Sequence, residues 1–174
     1  MKRRVMITSF VALVVVAALS YLLVTRRPVA ATIIPSPLAG KIAPRLSGSQ
    51  LDGGTFDLAK DRGQIVVVNF WASWCVACVQ EAPELSTFAW RERGRGVTLV
   101  GVVFNDTLSS ARAFERHYGS LYQSIIDTNG AIANRFGVSA PPTTFVINRS
   151  GRIAVTLLGP VSASQLIHII AEVH

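Results

Sequence analysis

The sequence predicts an α/β domain with a mixed β-sheet, preceded by a membrane-spanning helix. Two β-branched apolar runs, residues 65–71 (IVVVNFW) and 97–104 (VTLVGVVF), are typical of buried central strands, and a helical pattern follows each of them. Residues 143–148 and 153–158 form two more predicted strands, joined by a short turn. Strands that alternate with helices and then end in a hairpin indicate a sheet with parallel and antiparallel pairs, sandwiched by helices.

The N-terminal segment, residues 5–24, contains 20 residues without charge, proline or glycine. At about 1.5 Å per residue, a helix of this length spans about 30 Å, the hydrocarbon thickness of a bilayer. Three basic residues at positions 2–4 favour an N-terminus in the cytoplasm. We therefore predict residues 1–27 to be a single-pass anchor in the cytoplasmic membrane, with the C-terminal domain on the extracytoplasmic side. A signal peptide cleaved near residues 29–31 is the alternative.

Residues 28–39 are predicted to link this anchor to a folded domain over residues 40–174. The linker contains Pro28, Pro35 and Pro37, which favour an extended chain. The remaining residues are enough for one hydrophobic core of ordinary size, so we expect a single domain.

The other elements of the domain follow from local signals. Apolar periodicity predicts the helices, and glycine or polar residues mark where elements begin and end. The predicted elements are helices 75–93 and 108–118, strand 123–126, helix 131–136 ended by Gly137, and a closing helix 162–173 with Ser162 as its N-cap.

Positive charge is concentrated at the N-terminus. Five of the 17 Lys and Arg residues lie among the first 27 residues, which contain no acid, while the other 12 are balanced by 10 Asp and Glu. The net charge of +7 therefore mainly reflects the flanks of the apolar segment. Because no run of Lys or Arg follows Arg27, we predict no nucleic-acid partner.

The cysteines and histidines do not form a metal-binding pattern. His117, His168 and His174 are scattered, and a zinc site would need ligands beyond Cys75 and Cys78. We therefore expect no metal ion, and no cofactor other than a redox-active disulfide.

Cys75 and Cys78 lie where the first central strand passes into the following helix. Cysteines at positions i and i+3 face one another across the first helical turn and can close a disulfide. The helix N-terminus stabilises a thiolate, and Cys75 is nearer to it. We predict that Cys75 attacks a partner disulfide and that Cys78 resolves the mixed disulfide. Two unreactive buried cysteines are the alternative.

Several motifs in this domain occur in the order that one protein family shows. They are residues 68–75 (VNFWASWC), 81–83 (EAP) and 142–148 (PTTFVIN), with Ala43-Pro44 and residues 51–53 (LDG) as an entry hairpin. Over residues 40–174 the chain resembles the membrane-anchored thioredoxin-like family of TlpA, ResA and the cytochrome c maturation reductase CcmG. The resemblance implies a thioredoxin-like fold and thiol–disulfide exchange through a Cys75–Cys78 dithiol.

The resemblance also assigns roles around the cysteines. Pro142 would be a cis-proline that faces them, and Glu81 would accept or deliver the proton of the Cys78 thiol. A solvated glutamate in the early helix is the alternative for Glu81. The residues that would bind the client are Trp74, Pro141, Pro142 and Thr143. Pro141 has no N–H, so one β-type hydrogen bond that this fold normally offers to a client should be missing.

The partners that the resemblance implies are exported protein thiols and disulfides, apocytochrome c among them, and a membrane electron donor such as a CcdA/DsbD-like protein. We favour a reductase, since a dithiol in an oxidising compartment must be recharged and an anchor keeps it beside a membrane donor. The alternatives are an oxidase that introduces disulfides, a non-catalytic thioredoxin-fold module and a copper-delivery module. Copper delivery would require a CxxxC motif in place of the CxxC spacing found here.

Overall fold

The computed structural model describes residues 12–22, 30–119, 122–127 and 129–173 of the chain. The strands are β1 (Thr32–Ile33), β2 (Ser47–Ser49), β3 (Thr55–Asp57), β4 (Ile65–Trp71), β5 (Val97–Val103), β6 (Gln123–Ile126), β7 (Thr143–Ile147) and β8 (Ile153–Leu158). The domain helices are α1 (Val76–Arg91), α2 (Leu108–Tyr118), α3 (Ala131–Phe136) and α4 (Ala163–Glu172), with a 3-10 turn at Leu58–Asp61.

Six strands form one mixed sheet in the order β1-β8-β7-β4-β5-β6. Strands β4, β5 and β6 run parallel, whereas β7, β8 and β1 join by antiparallel pairs on the other side of β4. Strands β2 and β3 form a separate hairpin. This architecture confirms the predicted α/β fold with a mixed sheet, and β4 has the bounds that its apolar run predicted.

Helices cover both faces of the sheet because the central strands are apolar on both sides. All residues of β4 are buried. On one face, α1 and α4 pack through Leu85, Phe88 and Leu166. On the other face, α3 places the ring of Phe136 with its centroid 5.4 Å from that of Phe70. The predicted helical sandwich is therefore present, and β4 lies at its centre.

The chain joins the sheet earlier than the proline content indicates. Strand β1 lies within residues 28–39, which the sequence predicts as a linker, and it pairs with β8. A strand of two residues is too short to produce an alternating pattern, so the sequence gives no signal for it. The prolines at positions 35 and 37 follow β1 and end its pairing.

Part of the predicted membrane anchor belongs to the described residues. Residues 12–22 are helical, and their side chains are exposed. Within the ranges that the structure describes, no helix is at once long and apolar enough to cross a membrane. The other positions of the predicted anchor, 1–11 and 23–27, lie outside those ranges.

Gly101 allows two polar side chains to meet on the sheet face that carries α1. In register it lies between Asn69 of β4 and Ser124 of β6. The indole Nε1 of Trp71 donates a hydrogen bond to Ser124 Oγ at 3.3 Å across this position. A Cβ atom on Gly101 would lie 2.5 Å from Ser124 Oγ and 2.6 Å from Trp71 Nε1. Only glycine therefore fits here without displacing Trp71.

We expect Gly101→Ala to destabilise the domain by about 1–3 kcal/mol, since overpacking a well-packed core forces side chains off their rotamers. Chemical denaturation of the oxidised protein measures this loss. Adding Ser124→Ala should recover part of it, because one of the two clashing atoms is then absent. Equal stability of wild type and Gly101→Ala would contradict this account.

Candidate active site

Cys75 and Cys78 form a disulfide at the N-terminus of α1. Their Cα atoms are 5.2 Å apart, within the range that a disulfide spans. Cys75 is the N-cap residue of α1, so the helix begins at Val76, one residue later than predicted. The backbone N–H of Cys78 donates to Cys75 Sγ at 3.1 Å. The first helical turn thus offers both a donor and the positive end of its dipole to this sulfur.

The two sulfur-bearing residues differ in accessibility. Cys75 is 7% exposed and Cys78 is 1% exposed. Beside them, Trp74 is 55% exposed and Val76 is 73% exposed. The partner of a thiol exchange therefore meets Cys75 first, within an apolar surface.

The loop after β5 supports the turn that carries the cysteines. Asp106 Oδ2 accepts from the backbone N–H of Ser73 at 2.6 Å, and the carbonyl of Asn105 accepts from Trp74 Nε1 at 3.1 Å. Asn105 has a φ of 45°, which asparagine tolerates better than most residues. Sequence reasoning missed both residues. Both residues follow β5, which is parallel to β4. Because the loops at the carboxyl ends of neighbouring parallel strands lie side by side, this position could have indicated that they contact the cysteine turn.

Glu81 is a buried carboxyl beneath the active-site helix, with 1% of its surface exposed. Its Oε1 accepts from Asn69 Nδ2 at 2.9 Å, and its Oε2 accepts from the backbone N–H of Val161 at 3.1 Å. It follows Cys78 by three positions and so lies on the same side of α1. The alternative interpretation of Glu81 as a solvated surface residue is wrong, because Asn69 and the segment before α4 cover it.

Burial raises the pKa of the Glu81 carboxyl from 4.5 to about 7, and the hydrogen bonds from Asn69 and Val161 partly oppose this increase. Asn69 cannot titrate, and its Nδ2 also donates to Thr144 Oγ1 at 3.1 Å. Glu81 is therefore the group of this cluster that changes charge near neutral pH. Thr144 and Val161 are further site residues that the sequence did not indicate.

The segment before β7 lies at the same end of the sheet. The Pro141–Pro142 peptide bond is cis, which confirms that prediction. The Pro142 carbonyl accepts from the Gly159 N–H at 3.0 Å, and the Thr143 hydroxyl donates to the Ala140 carbonyl at 2.7 Å. These two carbonyls already have partners, and neither proline has an N–H. Among the described residues, the Pro141 carbonyl accepts no hydrogen bond and the Ala140 N–H donates none, so both remain for a client strand.

No group of three or more His, Cys, Asp or Glu side chains is placed to hold a metal ion in the described part of the chain. The redox group present is the Cys75–Cys78 disulfide. A disulfide at a helix N-terminus, with a buried carboxyl that titrates near neutrality, is suited to exchange of electrons and protons with other thiols.

Residues 39–156 match the model of the AhpC/TSA family. The chain belongs to this family. It is 38% identical over 133 residues to the thiol:disulfide interchange protein DsbE of Allochromatium vinosum, covering 75% of this chain and 72% of the relative. It is 35% identical over 132 residues to the thiol:disulfide interchange protein HelX of Rhodobacter capsulatus, and the match covers 74% of this chain and 73% of HelX.

Two further comparisons extend the likeness. The thiol-disulfide oxidoreductase ResA of Bacillus subtilis is 28% identical over 172 residues, which cover 95% of this chain and 90% of ResA. A crystal structure of a thiol:disulfide interchange protein of the thioredoxin family from Chlorobium tepidum superposes with a TM-score of 0.71 at 27% identity, covering 80% of this chain and 99% of that one. The thioredoxin-like fold and the resemblance drawn from the motifs are confirmed. The protein is a thiol–disulfide oxidoreductase of the DsbE, ResA and HelX type.

We expect the stability of the oxidised protein to fall as pH rises through neutrality. The folded-state pKa of Glu81, about 7, exceeds its ordinary value of 4.5, so the fold favours the protonated form. The associated stability is complete below pH 4.5 and is lost through pH 7, at most about 3 kcal/mol in total. Denaturation between pH 4 and 9 measures this change.

The matched variants are Glu81→Gln and Glu172→Gln. Glu81→Gln should flatten the pH dependence because its amide does not ionise. Glu172→Gln removes an exposed carboxylate whose ion pair with the exposed His168 contributes little to stability, so this variant should keep most of the wild-type slope. A wild-type slope in Glu81→Gln would mean that other groups cause the loss.

Proposed function

We propose that this protein is a membrane-anchored disulfide reductase of exported proteins, with the Cys75–Cys78 dithiol as its reacting group. The observation that carries the proposal is the position of Cys75, whose sulfur is the N-cap acceptor of α1. A sulfur there gains most from being a thiolate, the form that attacks disulfides. The same residue is the more accessible of the two cysteines.

The reaction begins with the reduced protein. The Cys75 thiolate attacks one sulfur of the client disulfide, and the other client sulfur leaves as a thiolate that takes up a proton. Cys78 then loses its proton and attacks Cys75 Sγ, which releases the second client sulfur. Two electrons have passed to the client, and the Cys75–Cys78 disulfide remains.

Glu81 takes the proton from Cys78 in the second step. Its pKa of about 7 lies between that of an ordinary carboxyl and that of a thiol, so it can hold the proton near neutral pH. The bonds from Asn69 and Val161 hold the carboxylate in place. Burial keeps bulk water from competing for the proton.

The proposed location is the extracytoplasmic side of the cytoplasmic membrane. Residues 5–24 are long and apolar enough in sequence to span a bilayer. The helical residues 12–22 expose Leu13 and Val16, and an exposed apolar helix requires cover by lipid or protein. The three basic residues that precede the segment favour this orientation.

The proposed clients are exported proteins with a cysteine pair, and apocytochrome c is the one that the family resemblance implies. Trp74, Pro141, Pro142 and Thr143 are the proposed client-binding residues. Since neither Pro141 nor Pro142 offers an N–H to a client strand, apolar contacts with Trp74 and Val76 would supply much of the affinity. A membrane electron donor of the CcdA/DsbD-like type would return the disulfide to the dithiol.

We expect substitution of each cysteine to give a different result in an insulin-reduction assay with the full chain in detergent. Cys75→Ser should abolish reduction because the attacking thiolate is lost. Cys78→Ser should accumulate a mixed disulfide between Cys75 and the client, visible on non-reducing gels. Ser86→Ala, remote from the sulfurs on α1, is the control. Trapping by Cys75→Ser in place of Cys78→Ser would exchange the assigned roles.

We expect a reduction potential close to that of thioredoxin, about −270 mV, as a reductase requires. Titration of the Cys75–Cys78 pair against a glutathione buffer measures it, and about 30 mV corresponds to a tenfold change in the equilibrium. A value near the strong-oxidant range of about −120 mV would reverse the direction and make disulfide formation the function.

A further inference from the structure

Four loops form the end of the sheet opposite the disulfide. They are residues 40–42, 58–64, 91–96 and 148–152, and we call their surface the basal face. Hydrogen bonds join the loops: the Gly63 N–H donates to the Arg149 carbonyl at 3.2 Å, and Arg152 Nη1 donates to the Gly40 carbonyl at 2.8 Å. The N–H of the first β4 residue donates to the Gly96 carbonyl at 3.0 Å. Because β4 begins here, the cysteines that follow its last residue lie at the other end of the sheet.

The basal face is strongly basic. Its four loops contain eight Lys or Arg residues and two acids, Asp61 and Glu92, so their formal charge is +6. The rest of the chain from residue 28 onward contains four Lys or Arg and eight Asp or Glu, so its formal charge is −4. The domain is therefore polarised along its strands, with the positive end remote from the cysteines.

The positive charges of the basal face are exposed, whereas its acids are partly or fully covered. All eight basic residues are exposed, Glu92 is buried and Asp61 is half-buried. Arg95 Nη1 lies 3.7 Å from Glu92 Oε1, and no other basic residue of this face forms an ion pair with a described residue. Most of these charges are therefore left to attract an anionic surface.

Two large apolar side chains lie among these charges. Trp90, in the last turn of α1, is 65% exposed, and Ile42, which forms a β-bridge with Arg152, is 51% exposed. Basic residues around an exposed tryptophan are suited to a lipid surface, because the cations attract phosphate and the indole enters the boundary between headgroups and acyl chains. The composition of the basal face thus favours phospholipid as its partner.

The proposed anchor keeps a lipid surface within reach of this face. Residues 25–30 separate the apolar segment from Ala31 and span at most about 20 Å when extended. Ala31 lies at the disulfide end of the sheet, and the strands are also about 20 Å long. A tether of this length allows either end of the domain to contact the bilayer. The difference in charge between the two ends then decides which end does so.

We propose that the basal face binds the headgroups of anionic phospholipids and thereby holds the disulfide on the side of the domain that faces away from the bilayer. The Cys75–Cys78 pair then lies about 20 Å or more from the lipid surface, where exported proteins reach it. The inference takes the nearby bilayer from the proposed function but does not depend on the redox reaction. Because the contact is electrostatic, it is reversible, and a released domain can turn its disulfide toward the membrane.

An environment-sensitive fluorophore tests the contact. The full chain, with Cys75→Ser and Cys78→Ser, carries the label at Ser150→Cys on the basal face or at Val76→Cys beside the disulfide; both native residues are exposed. The vesicles contain phosphatidylcholine alone or with phosphatidylglycerol. With phosphatidylglycerol at low salt, emission from position 150 should shift to shorter wavelength, and emission from position 76 should not. The shift should disappear in about 1 M salt, where the Debye length is about 3 Å.

No shift at position 150, or an equal shift at both positions, would overturn the proposal. A shift at position 150 that phosphatidylcholine alone also produces would overturn it too, because the contact would then not require anionic lipid. A response to soluble polyglutamate and none to phosphatidylglycerol would make an acidic protein the partner and refute the lipid contact.

A pair of charge reversals provides the matched comparison. Arg93→Glu on the basal face and Arg116→Glu on α2 alter exposed residues and change the net charge equally. Each elementary charge at an anionic surface alters the equilibrium about fivefold, so Arg93→Glu should lower the ratio of bound to free domain about 25-fold. Arg116→Glu should leave this ratio within about twofold of the parent chain. An equal loss in both variants would mean that net charge alone is sensed, and the basal face would have no special role.

Flotation and insulin reduction separate this inference from the proposed function. A chain that floats with phosphatidylcholine vesicles in 1 M salt is anchored. A chain that floats only with phosphatidylglycerol vesicles at low salt, with the shift at position 150, lacks the anchor but binds lipid through the basal face. If the chain with native cysteines fails to reduce insulin and the shift is present, the function fails and the lipid contact stands. If insulin is reduced and the shift is absent, the lipid contact fails and the function stands.

Discussion

One buried carboxylate holds together the elements around the disulfide. Glu81 extends from α1, accepts a hydrogen bond from Asn69 on β4 and another from the Val161 N–H before α4. Asn69 in turn donates to Thr144 on β7. A buried polar group without partners costs about 1–3 kcal/mol, more if charged, so the position of each element depends on the others. The active-site helix, the cis-proline strand and the closing helix are thereby fixed relative to the sulfurs.

Two groups near the start of α1 are held in opposite protonation states, since the Cys75 sulfur is favoured as a thiolate and the Glu81 carboxyl as a neutral acid. At the N-cap, the Cys78 N–H and the helix dipole favour the ionised form of the Cys75 sulfur. One turn below, burial favours the neutral form of Glu81 and brings its pKa to about 7. The proposed exchange uses both effects, because one thiol must attack as a thiolate while the other gives up its proton. The same burial of Glu81 is expected to make the stability of the fold depend on pH.

The mixed sheet determines at which end of the domain the N-terminal chain enters. Because β7 is antiparallel to β4 and β8 is antiparallel to β7, β8 ends at the same end of the sheet as β4, where the cysteines lie. Strand β1 pairs there, so the N-terminal chain and the disulfide share one end of the domain. A parallel pairing of β1 with β8 would bring the chain in at the opposite end. The position of the N-terminal chain at the same end as the disulfide therefore depends on the direction of one short strand.

The central strands, the helices and the redox pair could be predicted from the sequence. The β-branched runs of β4 and β5 and the CxxC motif at a strand-to-helix junction are local signals, since periodicity and capping act within a few residues. The cis bond before Pro142 was implied by the family resemblance. The tertiary structure alone decided the state of Glu81, whose partner Val161 is 80 residues away in the chain, and the support that Asn105 and Asp106 give to the cysteine turn. It also decided the pairing of β1, a strand too short to form a pattern. These features depend on which distant residues meet at one end of the sheet, and the pKa of Glu81 is set by those contacts.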